Sequence, residues 1–245
     1  MNRQRTHLGR LVAGLVAGLV AGLAVSAALG LAACGTAPPE SPTPAIAPSA
    51  PGIAGAPPPA SPSPPAGSTQ PAAGPYLFPV TGRAEYVRTH HDYPATDIVA
   101  PCGTPVLAVT DGTVLEVSRI DRFEPADPEG ALKGGLSVSI LGADGVRYYG
   151  SHLAKIAAGI DAGIHLRAGT PIGLVGMTGN ASHICHLHFG ISPVCLRTGD
   201  WWTRRGVVWP WPYLDAWRAG HQLSPVAEVA QWQREHGCPA TPPTR

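Results

Sequence analysis

One long stretch of alanine, proline, serine and glycine, residues 35–75, most restricts what this chain can fold into. It holds 14 of the 28 prolines in the 245-residue chain and a single charged residue, Glu40. Such a composition cannot bury a hydrophobic core, so we expect residues 34–75 to form a disordered, partly polyproline tether. A folded part of about 145–170 residues must then lie beyond it.

The segment before the tether has the pattern of an export signal. Arg3, Arg5 and Arg10 precede an apolar stretch over residues 11–33. The run Leu31–Cys34 resembles a bacterial lipobox, in which small residues precede a cysteine that becomes lipidated. We expect residues 1–33 to be a lipoprotein signal peptide, Cys34 to carry the lipid, and the rest to be extracytoplasmic and anchored to the cell membrane. An uncleaved membrane anchor and a plain secretory signal remain alternatives.

The other four cysteines predict disulfides, because an even number in an exported domain is typical of them. Four cysteines allow three pairings. We favour Cys185 with Cys195, since they bracket one short strand and turn, which leaves Cys102 with Cys238. Free buried thiols are the alternative, and a cysteine zinc site is disfavoured because no CxxC spacing occurs.

Beyond the tether, short β-type segments alternate with glycine-containing turns. The turn signals Asp111-Gly112 and Asp144-Gly145 each lead into a run rich in β-branched or aromatic residues. This pattern predicts a mainly β protein built on an antiparallel sheet or sandwich. The predicted strands lie at residues 104–109, 113–117, 136–140, 146–149, 171–176 and 187–192.

The C-terminal part has a different character. Residues 201–245 contain all six tryptophans, and we expect a partly helical extension with helices over residues 213–218 and 226–235. Packing against the sheet is the simpler role for these tryptophans, and contact with glycan or peptide at a groove is the alternative. Residues 119–135 read as a polar loop inserted between strands, and this loop could cover a site.

The triplet His186-Leu187-His188 is the sharpest chemical signal. In a strand, successive side chains alternate between faces, so His186 and His188 should face the same side. Further candidate residues recur at two other places, His90 and His91 before Asp97, and His152. A catalytic zinc takes three protein ligands and leaves a position for water, and further histidines can move protons. The sequence therefore predicts a hydrolytic metal site.

Several ordered motifs together resemble the lysostaphin-type zinc metallopeptidases, the LytM-like family that cuts peptide bonds in bacterial peptidoglycan. The resemblance covers about residues 80–195, and we place the domain at residues 76–200. The motifs are residues 91–97, Gly103–Val106, Asp111–Gly112, Ser151–Leu153, Gly169–Gly173, Gly176–Asn180 and His186–Phe189.

The resemblance implies an antiparallel β-sheet groove with Zn²⁺ on its floor and peptidoglycan peptides as substrate. Asp97 and His188 would be zinc ligands, together with a histidine before Asp97. His152 and His186 would be the catalytic pair. The family's usual spacing is His-x-x-x-Asp, but here the residue four before Asp97 is Tyr93. We favour His91 as the third ligand because it is nearer to Asp97, with His90 as the alternative.

Composition bounds the remaining function classes. The net charge of +1 gives no electrostatic case for binding nucleic acid. The first hypothesis is a zinc endopeptidase of the cell envelope. A catalytically inactive relative, acting as a wall-binding module or an activator of other wall hydrolases, is the second, and it would be expected to lack part of the ligand set.

Overall fold

The computed structural model describes residues 74–126 and 130–242. The predicted signal peptide, the lipidation site Cys34 and nearly all of the tether lie outside these residues and stay predictions. A search of the described residues for a bilayer-spanning helix, one with enough length and apolar character, returned none.

Antiparallel strands make up most of the described part, which confirms the mainly β fold class. All six segments predicted as strands contain one. The ten strands within the described residues are β1 (Glu85–Tyr86), β2 (Thr96–Val99), β3 (Pro105–Leu107), β4 (Gly112–Ser118), β5 (Ser137–Gly142), β6 (Arg147–Ser151), β7 (Leu153–Ile156), β8 (His165–Leu166), β9 (Pro171–Val175) and β10 (His186–Ser192).

The strands form two sheets that share one core. The larger sheet has the order β1-β2-β10-β6-β5-β4-β8, and the smaller has the order β3-β9-β7. Every residue of β10 is buried, and the strand is paired on both edges, with β2 and with β6. The histidine triplet therefore lies on a fully buried inner strand of the larger sheet.

Three helices follow β10 in the described residues, and the last two lie where the sequence predicts helices. They are α1 (Trp201–Arg204), α2 (Trp211–Arg218) and α3 (Val226–His236). The buried indole of Trp217 on α2 stacks on Tyr76, with 5.4 Å between ring centroids, and meets Phe189 of β10 edge-on. This tryptophan thus packs the extension onto the sheet, in the simpler of the two predicted roles.

Two disulfides confirm the expected use of the four cysteines, but the predicted pairing is wrong. Cys102 is bonded to Cys185, and Cys195 is bonded to Cys238. The reason is the length of β10, which separates Cys185 from Cys195 by a seven-residue extended strand of roughly 24 Å. Closeness in sequence does not bring two cysteines together when a strand lies between them.

A buried ion pair joins the sheet to the start of the helical extension. Arg147 of β6 is fully buried, and its Nη1 donates to Oδ1 of Asp200 at 2.8 Å. Its Nη2 donates to the carbonyl of Leu196, and the other carboxylate oxygen of Asp200 accepts from the Leu196 N–H at 3.1 Å. The carboxylate therefore holds the guanidinium and the chain after β10 together.

Removing this carboxylate should be strongly destabilising. We expect Asp200→Ala to lower the free energy of unfolding by about 3–5 kcal/mol, because it leaves the Arg147 charge buried without its partner. The matched control is Asp161→Ala, which breaks an ion pair with Arg119 in which both side chains are well exposed, at 66% and 43%. That control should cost less than about 1 kcal/mol. Urea denaturation measures both, and equal losses would contradict the expectation.

Candidate active site

Three neighbouring strands bring the predicted site residues into one cleft of about 740 Å³. Asp97 lies in β2, directly opposite His188 of β10 in the antiparallel register, and His188 is in turn opposite Ser151 at the end of β6. His152 directly follows β6. His186 is two residues before His188, so the two side chains lie on the same face of β10. All the site residues named here line the cleft, whereas Leu187, between the two histidines, does not.

His90, Asp97 and His188 form a cluster that could hold a metal ion. Their nearest ligand atoms all lie within 4.8 Å of one another. Oδ1 of Asp97 is 3.0 Å from Nδ1 of His188 and 3.6 Å from Nε2 of His90. Two donor atoms each about 2.1 Å from a tetrahedral zinc are about 3.4 Å apart, so these separations fit one ion. The donor set, two imidazoles and one carboxylate, is also one that zinc accepts.

The structure places His90, the alternative third ligand, in the cluster, and the favoured His91 lies outside it. His90 is buried and faces Asp97, whereas His91 is exposed at the rim, where its ring meets that of His90 edge-on at 4.7 Å. A turn over residues 91–94 lies between His90 and β2 and directs His91 outward. Sequence distance from Asp97 was a poor guide because the chain loops out at Pro94 and returns.

Hydrogen bonds fix the orientation of the His188 ring. Its Nε2 is 2.9 Å from the carbonyl oxygen of Arg205, and a carbonyl can only accept, so Nε2 carries a proton. Nδ1, which is 3.0 Å from Oδ1 of Asp97, is then the nitrogen that would give its lone pair to a metal ion. A backbone carbonyl behind a histidine ligand is a common second-shell arrangement that sets the tautomer.

The two predicted catalytic histidines are oriented in the same way. Nδ1 of His152 is 2.7 Å from the carbonyl of Thr178, and Nδ1 of His186 is 2.9 Å from the carbonyl of Ile184. In each neutral ring Nε2 is therefore free to accept a proton. The two ring centroids are 4.7 Å apart, so the pair can act on one bound group.

The backbone at His152 is strained. Its φ is +63°, in the left-handed region that a residue with a side chain rarely adopts. The conformation is held by the N–H of His152, which donates to the carbonyl of Gly134 at 2.9 Å, and by the Thr178 contact on the ring. Such strain costs about 1–3 kcal/mol and is typical of functional positions.

Burial and neighbouring charges set the protonation states. Burial, followed by the nearby imidazoles of His188 and His186, lowers the pKa of His152 to about 3. Burial, followed by His188, lowers the pKa of His90 to about 4. Burial would raise the pKa of Asp97, but the hydrogen bond and charge of His188, with the charge of His90, hold it below its usual value. Near neutral pH the cluster therefore combines a carboxylate with neutral His90 and His152.

The 3-10 helix Gly130–Gly134, in the second described part of the predicted loop, forms one rim of the cleft. In the first described part, Asp121 accepts a hydrogen bond from the Gly179 N–H at 2.8 Å. The carbonyl of Lys133 accepts from the N–H of Asn180, also at 2.8 Å. These bonds dock the loop against the segment that supplies the Thr178 carbonyl to His152.

Sequence reasoning missed the groups that orient the histidines. The carbonyls of Thr178, Ile184 and Arg205 are backbone groups, and no side-chain pattern marks them. Thr178 carries a partial signal, because its hydroxyl donates to the carbonyl of Leu153 and accepts from the Leu136 N–H, which ties its own carbonyl in place. Charged and aromatic residues of α1, among them Trp201 and Arg204, also line the cleft.

Comparison with known proteins gives a family for the central part of the chain. Residues 91–198 match the model of peptidase family M23. The match begins one residue after His90 and ends before α1. None of the curated proteins searched matches the chain.

Three solved structures illustrate the likeness. A Ruminococcus gnavus protein described as a glycyl-glycine endopeptidase LytM is 25% identical, with a TM-score of 0.40, over 49% of this chain and 53% of its own. The catalytic domain of the antimicrobial peptidase lysostaphin from Staphylococcus simulans is 24% identical, with a TM-score of 0.41, over 54% of this chain and 92% of its own. A zinc-containing peptidase from Vibrio cholerae is 25% identical, with a TM-score of 0.35, over 48% and 36%. The chain thus spans about half the length of the first of these.

Replacing each of the two adjacent histidines by alanine tests which one is the metal ligand. We expect His90→Ala to weaken zinc affinity by at least about 100-fold, since it removes one of three donors. His91→Ala should change the affinity by less than about three-fold, because its exposed ring lies outside the cluster. Competition with a fluorescent zinc chelator measures both. Loss of affinity in His91→Ala, with His90→Ala unaffected, would restore the original assignment.

The lowered pKa of His152 makes stability depend on pH in a stated direction. Between its folded pKa of about 3 and the ordinary value of 6.5, the unfolded chain binds the extra proton, so stability rises with pH across this window. Lowering the pH from about 7 to about 5 should cost roughly 2 kcal/mol through this residue in metal-free protein. Thermal unfolding with chelator present measures the loss. His152→Ala should flatten the pH dependence, and the control His183→Ala, on the surface, should not.

Proposed function

We propose that this protein, whose residues 91–198 match the model of peptidase family M23, is a zinc-dependent endopeptidase that cleaves peptide bonds of bacterial peptidoglycan at the cell envelope. The proposal rests on one observation: three side chains that could hold a metal ion lie in the same cleft as two further histidines. Peptidoglycan as the substrate is supported by the ordered motifs that resemble lysostaphin-type enzymes.

His90, Asp97 and His188 would hold the zinc ion. Two neutral imidazoles and one carboxylate leave a net positive charge at the metal and a fourth position open to water or substrate. When bound, zinc polarises a carbonyl group and makes water more acidic. The carbonyl of Arg205 keeps the His188 ring in the tautomer that this requires.

His152 and His186 would handle the proton. With Nδ1 bonded to a carbonyl, each ring offers Nε2 as the acceptor. Nε2 of one histidine accepts the proton of the attacking water, and the protonated ring then donates it to the nitrogen of the departing amine. The low pKa of His152 keeps this ring neutral at neutral pH, so its Nε2 lone pair is available for a hydrogen bond from water. The other histidine can donate to the oxygen that becomes negative as the carbonyl is attacked.

The N-terminal sequence supports a location for this activity. A lipid on Cys34 would anchor the chain to the membrane, and residues 34–75 would act as the tether. At about 3.1 Å per residue in a fully extended polyproline conformation, this tether could reach up to about 130 Å. An anchored domain with this reach could work on peptidoglycan well away from the bilayer.

Cleavage of purified peptidoglycan tests the proposal. The zinc-loaded protein should release new amino groups and soluble fragments, and a chelator should abolish the release. A protein that binds peptidoglycan and zinc without releasing amino groups would instead be the wall-binding relative. The spacing departure at Tyr93 is the observation that favours this second function, and the complete ligand set opposes it.

Removing either proton-handling histidine should separate catalysis from metal binding. We expect His152→Ala and His186→Ala each to lower kcat by about 10²–10⁴-fold while zinc affinity falls by less than about ten-fold. The matched control is His165→Ala, an exposed histidine on β8 away from the cleft. Steady-state kinetics and zinc titration measure the two effects. A loss of zinc as large as the loss of kcat would make these residues ligands instead.

A further inference from the structure

The last described residues after α3, Cys238–Pro242, form a segment that we call the C-terminal tail. It lies outside the part that matches the family model, yet Pro242 lines the same cleft as the histidines. The cleft is therefore bounded partly by residues that the M23 domain itself does not supply.

Three attachments hold the tail in this position. Cys238 is bonded to Cys195, just after β10. The indole N–H of Trp202 on α1 donates to the carbonyl of Pro239 at 3.0 Å. The preceding helix α3 is fixed to α2 by the hydrogen bond from the Tyr213 hydroxyl to Glu228 at 2.5 Å. The tail is thus tied to the two helices and to the chain beside the histidine strand.

The tail is connected to the rim that contains the 3-10 helix Gly130–Gly134 through tryptophan contacts. The rings of Trp201 and Trp202 meet edge-on at 6.0 Å, and Trp201 lines the cleft. Gly130 of the 3-10 helix lies so close to the Trp201 ring that an added Cβ would come within 2.1 Å of it. A tail held against Trp202 therefore supports the ring that borders the cleft.

The chemistry of the tail suits a steric wall better than a substrate-binding edge. Its five residues carry no charge. Pro239 and Pro242 have no N–H, so the segment cannot offer the continuous row of donors with which a strand edge binds an extended peptide. What it presents to the cleft is a short, stiff, apolar surface.

We infer that the C-terminal tail is a disulfide-fastened wall that narrows the substrate groove and favours single peptide strands over bulky, cross-linked peptide. This selectivity rests on the proposed function, since it concerns the substrate of that same cleft. The disulfide keeps the wall in place, so a chain without the tail, or with the tail released, accepts wider substrates.

Three forms of the protein test the inference. The first is wild type. The second carries Cys195→Ser and ends after Gly237, which removes the tail without leaving an unpaired thiol. The third carries Cys195→Ser and Cys238→Ser, which keeps the tail but releases it and serves as the matched control for loss of the disulfide. The probes are purified cross-linked peptidoglycan and synthetic linear stem peptides of the same sequence, which carry no cross-link.

The measured quantity is the ratio of kcat/KM on cross-linked peptidoglycan to kcat/KM on linear peptide. We expect the ratio to rise at least about five-fold without the tail and by an intermediate factor with the tail released. Zinc affinity and far-ultraviolet circular dichroism should match wild type. An unchanged ratio overturns the inference, as does a parallel fall on both substrates with zinc affinity kept.

A binding assay keeps this inference separate from the proposed activity. Zinc-free protein is mixed with each probe, and the bound fraction is measured for the three forms. Stronger binding of the tail-less form to cross-linked peptidoglycan, but not to linear peptide, supports the wall. Equal binding by all three forms overturns it. If wild-type protein cleaves neither probe, the proposed function fails while the binding ratio still decides the role of the tail.

Discussion

The pairing of β10 between β2 and β6 is the constraint on which the whole site depends. In this register His188 lies opposite Asp97 on the β2 side and opposite Ser151 on the β6 side. Three segments that are distant in sequence therefore supply one cleft. Because side chains alternate along a strand, a slip of one residue would turn Asp97 away from both histidines of β10. The slip would also expose Leu187 and Phe189 to the cleft and bury imidazoles in the core. Hydrophobic burial and metal-site geometry thus select the same register.

Electrostatics make this cluster costly without a metal. Four imidazoles, those of His90, His152, His186 and His188, are buried around one carboxylate. Burial opposes charge on the rings, as the low pKa values of His90 and His152 show, while Asp97 stays ionised. A bound cation would supply the positive charge that the neutral rings do not. Backbone carbonyls behind three of the rings fix which nitrogen faces the cleft, so the site is organised before any ligand arrives.

Local patterns made most of the fold predictable, and long-range geometry limited the rest. Strands such as β4 and β10, and the helices α2 and α3, could be placed from alternation, turn residues and apolar spacing, because those signals are local. That Asp97 and His188 belong to one site was predicted from the order of the motifs along the chain. The choice between His90 and His91 depended on the path of a turn, and the disulfide partners depended on which strands pair. Neither is encoded in sequence distance: the nearest cysteine was the wrong partner, and the histidine nearest to Asp97 lies outside the cluster.

The corrected disulfides show how the histidine strand is held. Cys185 lies immediately before β10 and Cys195 three residues after it, and each is bonded to a segment remote in sequence, at separations of 83 and 43 residues. The predicted pairing of Cys185 with Cys195 would have closed a loop of only ten residues. It would have left both ends of β10 without a disulfide to a remote segment. In the chain-entropy account, each disulfide restricts the unfolded chain, and loops of the observed lengths raise the free energy of unfolding by about 4–5 kcal/mol each. The two bonds therefore restrain the strand from both ends. The one before β10 steadies His186, the next residue along the chain, and the one after it secures the helical extension that borders the cleft.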